Sequence, residues 1–297
     1  MWGSTDRLGT LNNISRKEVR AAAGLVQTGR VVSLNLALTE LDPPLFGRAP
    51  LGRDQRSIGG GMAFDETLTW NVQTTSQWDG FAHVVEPSIG SYNGLDRRLH
   101  GVGHWLDHGV VSRGVLADVA RRRSSLAVEA DPFRRSEISL DEVTTTLGEA
   151  RVEPRRGDVL LIRTGWLAAY RLLTRAARIE LASGAGTSIG LGNDVATVEG
   201  LWNLGVAAVA ADNPSLEAWP PSSDRDEVVA HDADSPLAAS LHRSLLVRLG
   251  MPIGELWDLD RLSETCAEIG RYEFFLVSVP IALEDGIASP ASAVAIF

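Results

Sequence analysis

Residues 157–166 read GDVLLIRTGW. The run Asp158–Arg163 is apolar with little polar alternation, the pattern of a strand covered on both faces. Trp166–Ala177, directly behind it, reads as a helix. The couplet recurs outward in both directions. Gly114–Val119, Val206–Ala211 and Glu273–Pro280 are similar runs rich in Val, Leu and Ile, and are expected to be buried strands. Between them, Leu140–Leu147 follows the cap residue Ser139, with Glu142 in the capping-box position, and Asn193–Asn203 reads as another helix. Pro236–Leu249 is the clearest helix. Asp234 or Ser235 can cap it, Gly250 can stop it, and Leu237, Leu241, Leu245 and Leu249 form its buried stripe, with His242 at the edge. Strand and helix alternate, which predicts an α/β protein.

The 297 residues are 44% hydrophobic and 22% charged, ordinary for a globular chain. No internal repeat or low-complexity linker divides them, so one domain over 1–297 is expected, with a long Pro/Gly/Arg-rich loop at about 40–61. The net charge of −10 repels phosphate backbones and argues against nucleic acid. Cys266 stands alone, which excludes an internal disulfide and fits a reducing, cytoplasmic setting. The polar start WGSTDRLG and the short apolar runs predict neither a secretory leader nor a membrane span.

Chemistry concentrates at residues 73–83, QTTSQWDGFAH. Leu68–Val72 alternates like a half-exposed strand feeding it. On a straight strand Gln73 and Asp79 would lie roughly 20 Å apart. A shared site therefore requires a bend within Thr74–Gly80, for which Gly80 has the freedom. Bent, the stretch offers the carboxylate of Asp79 and the amide oxygens of Gln73 and Gln77 as hard donors for a divalent ion. Alternatively Asp79 and His83 form an acid–base pair without metal. A third reading makes His83 a packed histidine bonded to backbone and the two Gln residues strand caps.

The stretch resembles the HxGTHxDxPxH motif of the cyclase family, which includes bacterial kynurenine formamidases and isatin hydrolases. The first motif His falls on Gln73, the second on Gln77, the Asp on Asp79 and the last His on His83. WGSTDRLGTLNNIS (2–15), HGVVSRGVLADVA (108–120), GDVLLIRTGW, AAVAADNPSLEAWP (207–220) and LHRSLLVRLGMPIGELWDL (241–259) are also similar in character and order. The resemblance implies a swivelling β/β/α fold, usually dimeric or tetrameric. It implies a metal held by the motif residues with a later His and Glu, here His242 and Glu255, and a general base at His83.

The resulting expectation is a hydrolase or cyclase acting on a small, neutral or mildly polar cyclic amide, ester or N-acyl compound. His83 activates water, and Glu255 orients it or shares the proton. Asp79, Gln77, Gln73 and His242 hold Mn²⁺ or Zn²⁺, and Trp78 lines the pocket beside Gln73 and Gln77. Rival expectations are a metal-free cyclase or dehydratase of secondary metabolism using His83 and Glu255, and a non-catalytic binding protein. A homodimer or homotetramer is expected. Two other patterns carry little. His100, His104 and His108 recur every four residues but sit among Gly101 and Gly103, and are expected as a solvent-facing or interface stripe. Gly184, Gly186 and Gly190 lack the strand that a dinucleotide fingerprint requires, so no nucleotide cofactor is expected.

Overall fold

The computed structural model describes residues 1–184, 186–221 and 240–297. In chain order the strands are β1 (Val31–Ser33), β2 (Gly52–Ile58), β3 (Ala63–Thr69), β4 (Gln77–Asp79), β5 (Val110–Ala117), β6 (Ser136–Ile138) and β7 (Val159–Ile162), then β8 (Ile189–Leu191), β9 (Ala208–Ala211), β10 (Ile253–Glu255), β11 (Glu273–Ser278), β12 (Ala288–Pro290) and β13 (Ala293–Ile296). Nine of them form one mixed sheet in the order β1-β13-β11-β5-β7-β9-β10-β4-β12. Its middle, β5-β7-β9-β10, is parallel, and both flanks are antiparallel. The α/β class expected from the alternation holds.

Parallel neighbours need crossovers, and these supply the helices. α1 (Arg16–Ala23) lies against β5 and β11, and α2 (Val119–Ser125) follows β5. α3 (Leu140–Glu149) packs on β5, and Ser139 caps it by accepting the Glu142 N–H. The helix expected over Trp166–Ala177 is two, α4 (Trp166–Leu172) and α5 (Arg175–Ser183), because Thr174 starts a new helix by accepting the Ala177 N–H. α6 (Val195–Leu204) leads to β9, and α7 (Asp260–Ile269) to β11. β7 and β9 are wholly buried, which explains their unbroken apolar runs. A buried ion network ties the centre together. Arg113 on β5 donates two hydrogen bonds to Asp158, at 2.9 and 2.6 Å, and one to Glu273, at 2.6 Å.

Three expectations need correction. The loop at about 40–61 is a loop only in its first half, since Gly52–Thr69 forms a β2–β3 hairpin with every strand residue exposed. The half-exposed strand at Leu68–Val72 is the end of β3 followed by a 3-10 turn at Val72–Thr74. The histidines at 100, 104 and 108 share no helix face. His100 is buried with Nε2 on the Tyr92 carbonyl, His104 meets Arg7, and His108 lies on the carbonyls of Gly109 and Ile14. Of the helix expected at Pro236–Leu249, the caps, Pro236 and Leu237 lie outside the described residues. Arg243–Leu249 winds as a wider π-helix ending at Gly250, with Leu245 buried and Leu249 half-buried.

Candidate active site

The chain bends at the two ends of Thr74–Gly80 rather than within it. Asn71 accepts the Gln73 N–H and starts the 3-10 turn. β4 then runs for three residues, and a turn from Gly80 to His83, closed by His83 N–H on the Gly80 carbonyl at 2.9 Å, folds the imidazole back toward Asp79. A Cβ at Gly80 would meet Val102 Cγ1 at 2.7 Å, so the backbone passes where only glycine fits. β4 pairs antiparallel with β10, placing Asp79 opposite Ile253 and Gln77 opposite Glu255. Cross-strand partners share a face. Gln77 Nε2 accordingly donates to Glu255 Oε2 at 2.7 Å. The same alternation turns Trp78 away. It does not line the pocket but is fully buried, donating to Ser278 Oγ at 2.8 Å and meeting Trp257 edge-on.

His242, just before the π-helix, completes the cluster. Its Nδ1 faces both oxygens of Glu217 at 3.0 and 2.9 Å. Its Nε2 lies 3.0 Å from Glu255 Oε1 and 3.6 Å from Asp79 Oδ2. His83 Nε2 stands 4.0 Å from Asp79 Oδ1, and the two imidazole rings are 5.9 Å apart. Both oxygens of Asp79 and Oε1 of Gln77 are buried without a hydrogen-bond partner. Asp79 is fully buried, whereas the His83 side chain is 23% exposed. Water therefore reaches the group at His83.

Gln73 closes the other side. Its Nε2 lies 2.7 Å from His83 Nδ1, and its carbonyl accepts from Arg48 Nη1 at 2.5 Å. An amide N–H can only donate, so in this arrangement Nδ1 accepts and the neutral ring carries its proton on Nε2. A half-turn of the amide would present Oε1, move the proton to Nδ1 and leave Nε2 as an acceptor.

The charges set the titration. Burial pushes the His83 pKa down, and although Asp79 opposes this, His242 and Arg48 add to it, so the ring is held neutral near pH 7. Burial works against a charge on His242, yet Glu217, Asp79 and Glu255 together raise its pKa well above the ordinary value. Glu255 is pushed up to about 7 by burial and by the neighbouring Asp79. Asp79 stays low despite burial because His83, His242 and Arg48 surround it.

The model of the Cyclase family matches residues 28–218, more than half of the chain. This chain belongs to the Cyclase family. A crystal structure of a novel cyclase is 26% identical with a TM-score of 0.83, covering 100% of this chain and 98% of its own. The same fold, at 17% identity and a TM-score of 0.62, occurs in isatin hydrolase A from Labrenzia aggregata bound to benzyl benzoate, covering 92% of this chain and 94% of that one. Isatin hydrolase A from Ralstonia solanacearum gives 16% and 0.62, covering 95% and 97%. No curated protein matches the sequence.

Within this cyclase fold the donor set suits a divalent ion. Asp79, His83 and His242 each offer one ligand atom, all within 4.8 Å of one another. The unpartnered oxygens of Asp79 and Gln77 fit such a role. Glu217 on His242 Nδ1 is the carboxylate–histidine arrangement that aims the opposite nitrogen at a metal. Two nitrogens and a carboxylate match Zn²⁺ or Mn²⁺ better than Mg²⁺. The ligand set expected from sequence therefore shifts. His83 joins Asp79 and His242, while the Gln73 amide nitrogen is engaged by His83 and that of Gln77 by Glu255.

Two members escaped the sequence reading. Glu217 lies in the block AAVAADNPSLEAWP that carries part of the family resemblance, a carboxylate between Leu216 and the pair Ala218-Trp219, and that signal was available. Its loop is held by Asn213 Nδ2 on the Ile189 and Glu217 carbonyls. At Gly190 a Cβ would strike the Glu217 carbonyl at 2.3 Å, so this glycine of the dinucleotide look-alike serves Glu217's approach. Arg48 lies in a loop with no local signature. A separate cleft of about 980 Å³, lined by Arg121, Arg123, Arg163, Thr164 and others, contains none of these residues.

Proposed function

We propose that this chain is a hydrolase or ring-opening cyclase acting on a small cyclic amide, ester or N-acyl carbonyl compound. The observation that supports it best is the convergence of His83 and His242 on Asp79, a fully buried carboxylate with no hydrogen-bond donor. A carboxylate placed so is costly unless something is meant to fill the gap.

His83, the solvent-facing member, takes a proton from water at Nε2 once the Gln73 amide presents Oε1 to Nδ1. The oxygen attacks the carbonyl carbon, the C–N or C–O bond breaks, and the protonated His83 returns its proton to the leaving group. Glu217 fixes the His242 ring, and Gln77 fixes Glu255. Asp79, His242 and His83, with Oε1 of Gln77, are the residues that would hold Zn²⁺ or Mn²⁺; with His83 Nε2 so engaged, Glu255, pushed up to about 7, would take and return the proton in its place. Such an ion would lower the pKa of water and polarise the carbonyl.

A second reading is a metal-free cyclase or dehydratase using His83 and Glu255. It is favoured by the Gln residues at both first-motif positions and by the direct 3.0 Å approach of His242 to Glu255. Both readings require His83. A panel of cyclic amides, lactones and N-acyl compounds, followed by acid release, should identify a converted substrate. His83→Ala should then lower kcat/KM by roughly 10²–10⁴-fold. Turnover unchanged by that substitution would end both. Loss of activity on chelation, restored by Mn²⁺ or Zn²⁺, would select the first.

A further inference from the structure

We propose that Arg48 is the anion-recognising residue of this site, and that the substrate carries a carboxylate or similar anionic group beside the reacting carbonyl. This rests on the reading above and replaces the neutral substrate expected from sequence. Arg48 is half-buried and pairs with no carboxylate among the described residues. Arg113, Arg163 and Arg171 each hold two or more carboxylates, and although Arg7, Arg178 and Arg271 hold none among the described residues, their side chains meet His104, Tyr170 and Phe297 rather than a residue of the site. A partly desolvated cation left open calls for a partner from outside.

The surroundings specify that partner. One guanidinium nitrogen donates to the Gln73 carbonyl at 2.5 Å. The remaining N–H groups keep the planar fork that matches a carboxylate. The guanidinium lies 5.1 Å over the Phe46 ring, which meets Trp219 edge-on at 6.0 Å. The two rings place flat apolar surface beside the guanidinium. Gln73 links Arg48 to the reaction, since its carbonyl takes the guanidinium and its amide reaches His83. An anion seated on Arg48 therefore lies one residue's length from the imidazole. His242 is surrounded by Glu217, Glu255 and Asp79, so Arg48 is the cation of the site with no carboxylate of its own among the described residues.

The test compares benzoate with its neutral isostere benzamide, titrated calorimetrically into the full-length protein, wild type and Arg48→Gln and Arg48→Lys. Wild type should bind benzoate about tenfold more tightly than benzamide, the worth of a charge-assisted pair. Arg48→Gln should bring the ratio to about one with benzamide affinity retained, and Arg48→Lys should keep part of the preference. Equal affinity for both probes in wild type, no benzoate binding at millimolar concentration, or a ratio that survives Arg48→Gln would each overturn the proposal. An Arg48 that merely braced the Gln73 carbonyl would weaken both probes alike, which also counts against it. The readout needs no turnover, so it stands or falls apart from the His83→Ala result.

Discussion

At the scale of single residues, the tautomer of His83 decides whether it is a donor or an acceptor, and Gln73 sets the tautomer. Only one orientation of the amide, with Oε1 on Nδ1–H, leaves Nε2 able to take a proton. A carboxylate can only accept, so Gln73→Glu should lock that orientation. It should preserve activity and move the acidic limb of the pH–rate profile upward, because a carboxylate beside the ring raises its pKa. Gln73→Leu, which removes the partner, should lower kcat more than it raises KM. A pH–rate profile identical in wild type and Gln73→Glu would show that Gln73 does not act through His83. Asp79, His83, His242 and Glu255 were legible from spacing and family resemblance. Arg48 was not, because a loop arginine acquires meaning only from the backbone it meets.

Elements position these residues, and one clamp joins the two that carry histidines. Glu86, three residues after His83 and 3% exposed, accepts from Arg243 at 2.6 Å and from Arg248 at 3.1 Å, both on the π-helix that follows His242. Its own backbone closes the turn to Gly90. The hydrogen bond from Arg243 is the strongest cause that holds its pKa down at about 2, from 4.5. A depressed acid contributes stability that is complete above its unfolded pKa and is lost as pH falls through the folded one. The clamp should therefore be worth on the order of 3 kcal/mol above about pH 5 and fade toward pH 2. Urea unfolding of wild type and Glu86→Gln should differ by that order near pH 7 and converge near pH 2. A difference constant with pH would mean that the charge of Glu86 is not what holds the helix.

Element by element, burial governs what the sequence discloses. β5, β7 and β9 are legible because both faces are covered, so an apolar run marks them, while β11 buries one face and half-covers the other with Phe275 and Val277. β2 and β3 are exposed on both faces, so Arg53, Asp54, Gln55 and Arg56 read as loop although they pair in register with Leu68, Thr67, Glu66 and Asp65. The break between α4 and α5 turns on one cap, Thr174, a signal weaker than the apolar period around it.

Across the whole molecule, the site gathers from four distant stretches. Residues 73–83 reach Glu255 through the β4–β10 pairing, Glu217 arrives from the loop beyond β9, and His242 arrives beside the π-helix. Glu217 and Glu255 both lie at or beyond the carboxyl ends of parallel strands, where open α/β sheets place their ligands. No sequence-local rule brings these stretches together; the sheet order does. No described helix is long and apolar enough to cross a membrane. The divalent centre proposed at Asp79, His83 and His242 is checked by calorimetric titration of the chelator-treated protein with Mn²⁺ and Zn²⁺. About one ion should bind per chain, with affinity lost in Asp79→Asn and weakened roughly 10–100-fold in Glu217→Gln, whose carboxylate aims the His242 ring. A wild-type chain that takes up neither ion, or one whose uptake is indifferent to Asp79→Asn, would contradict it.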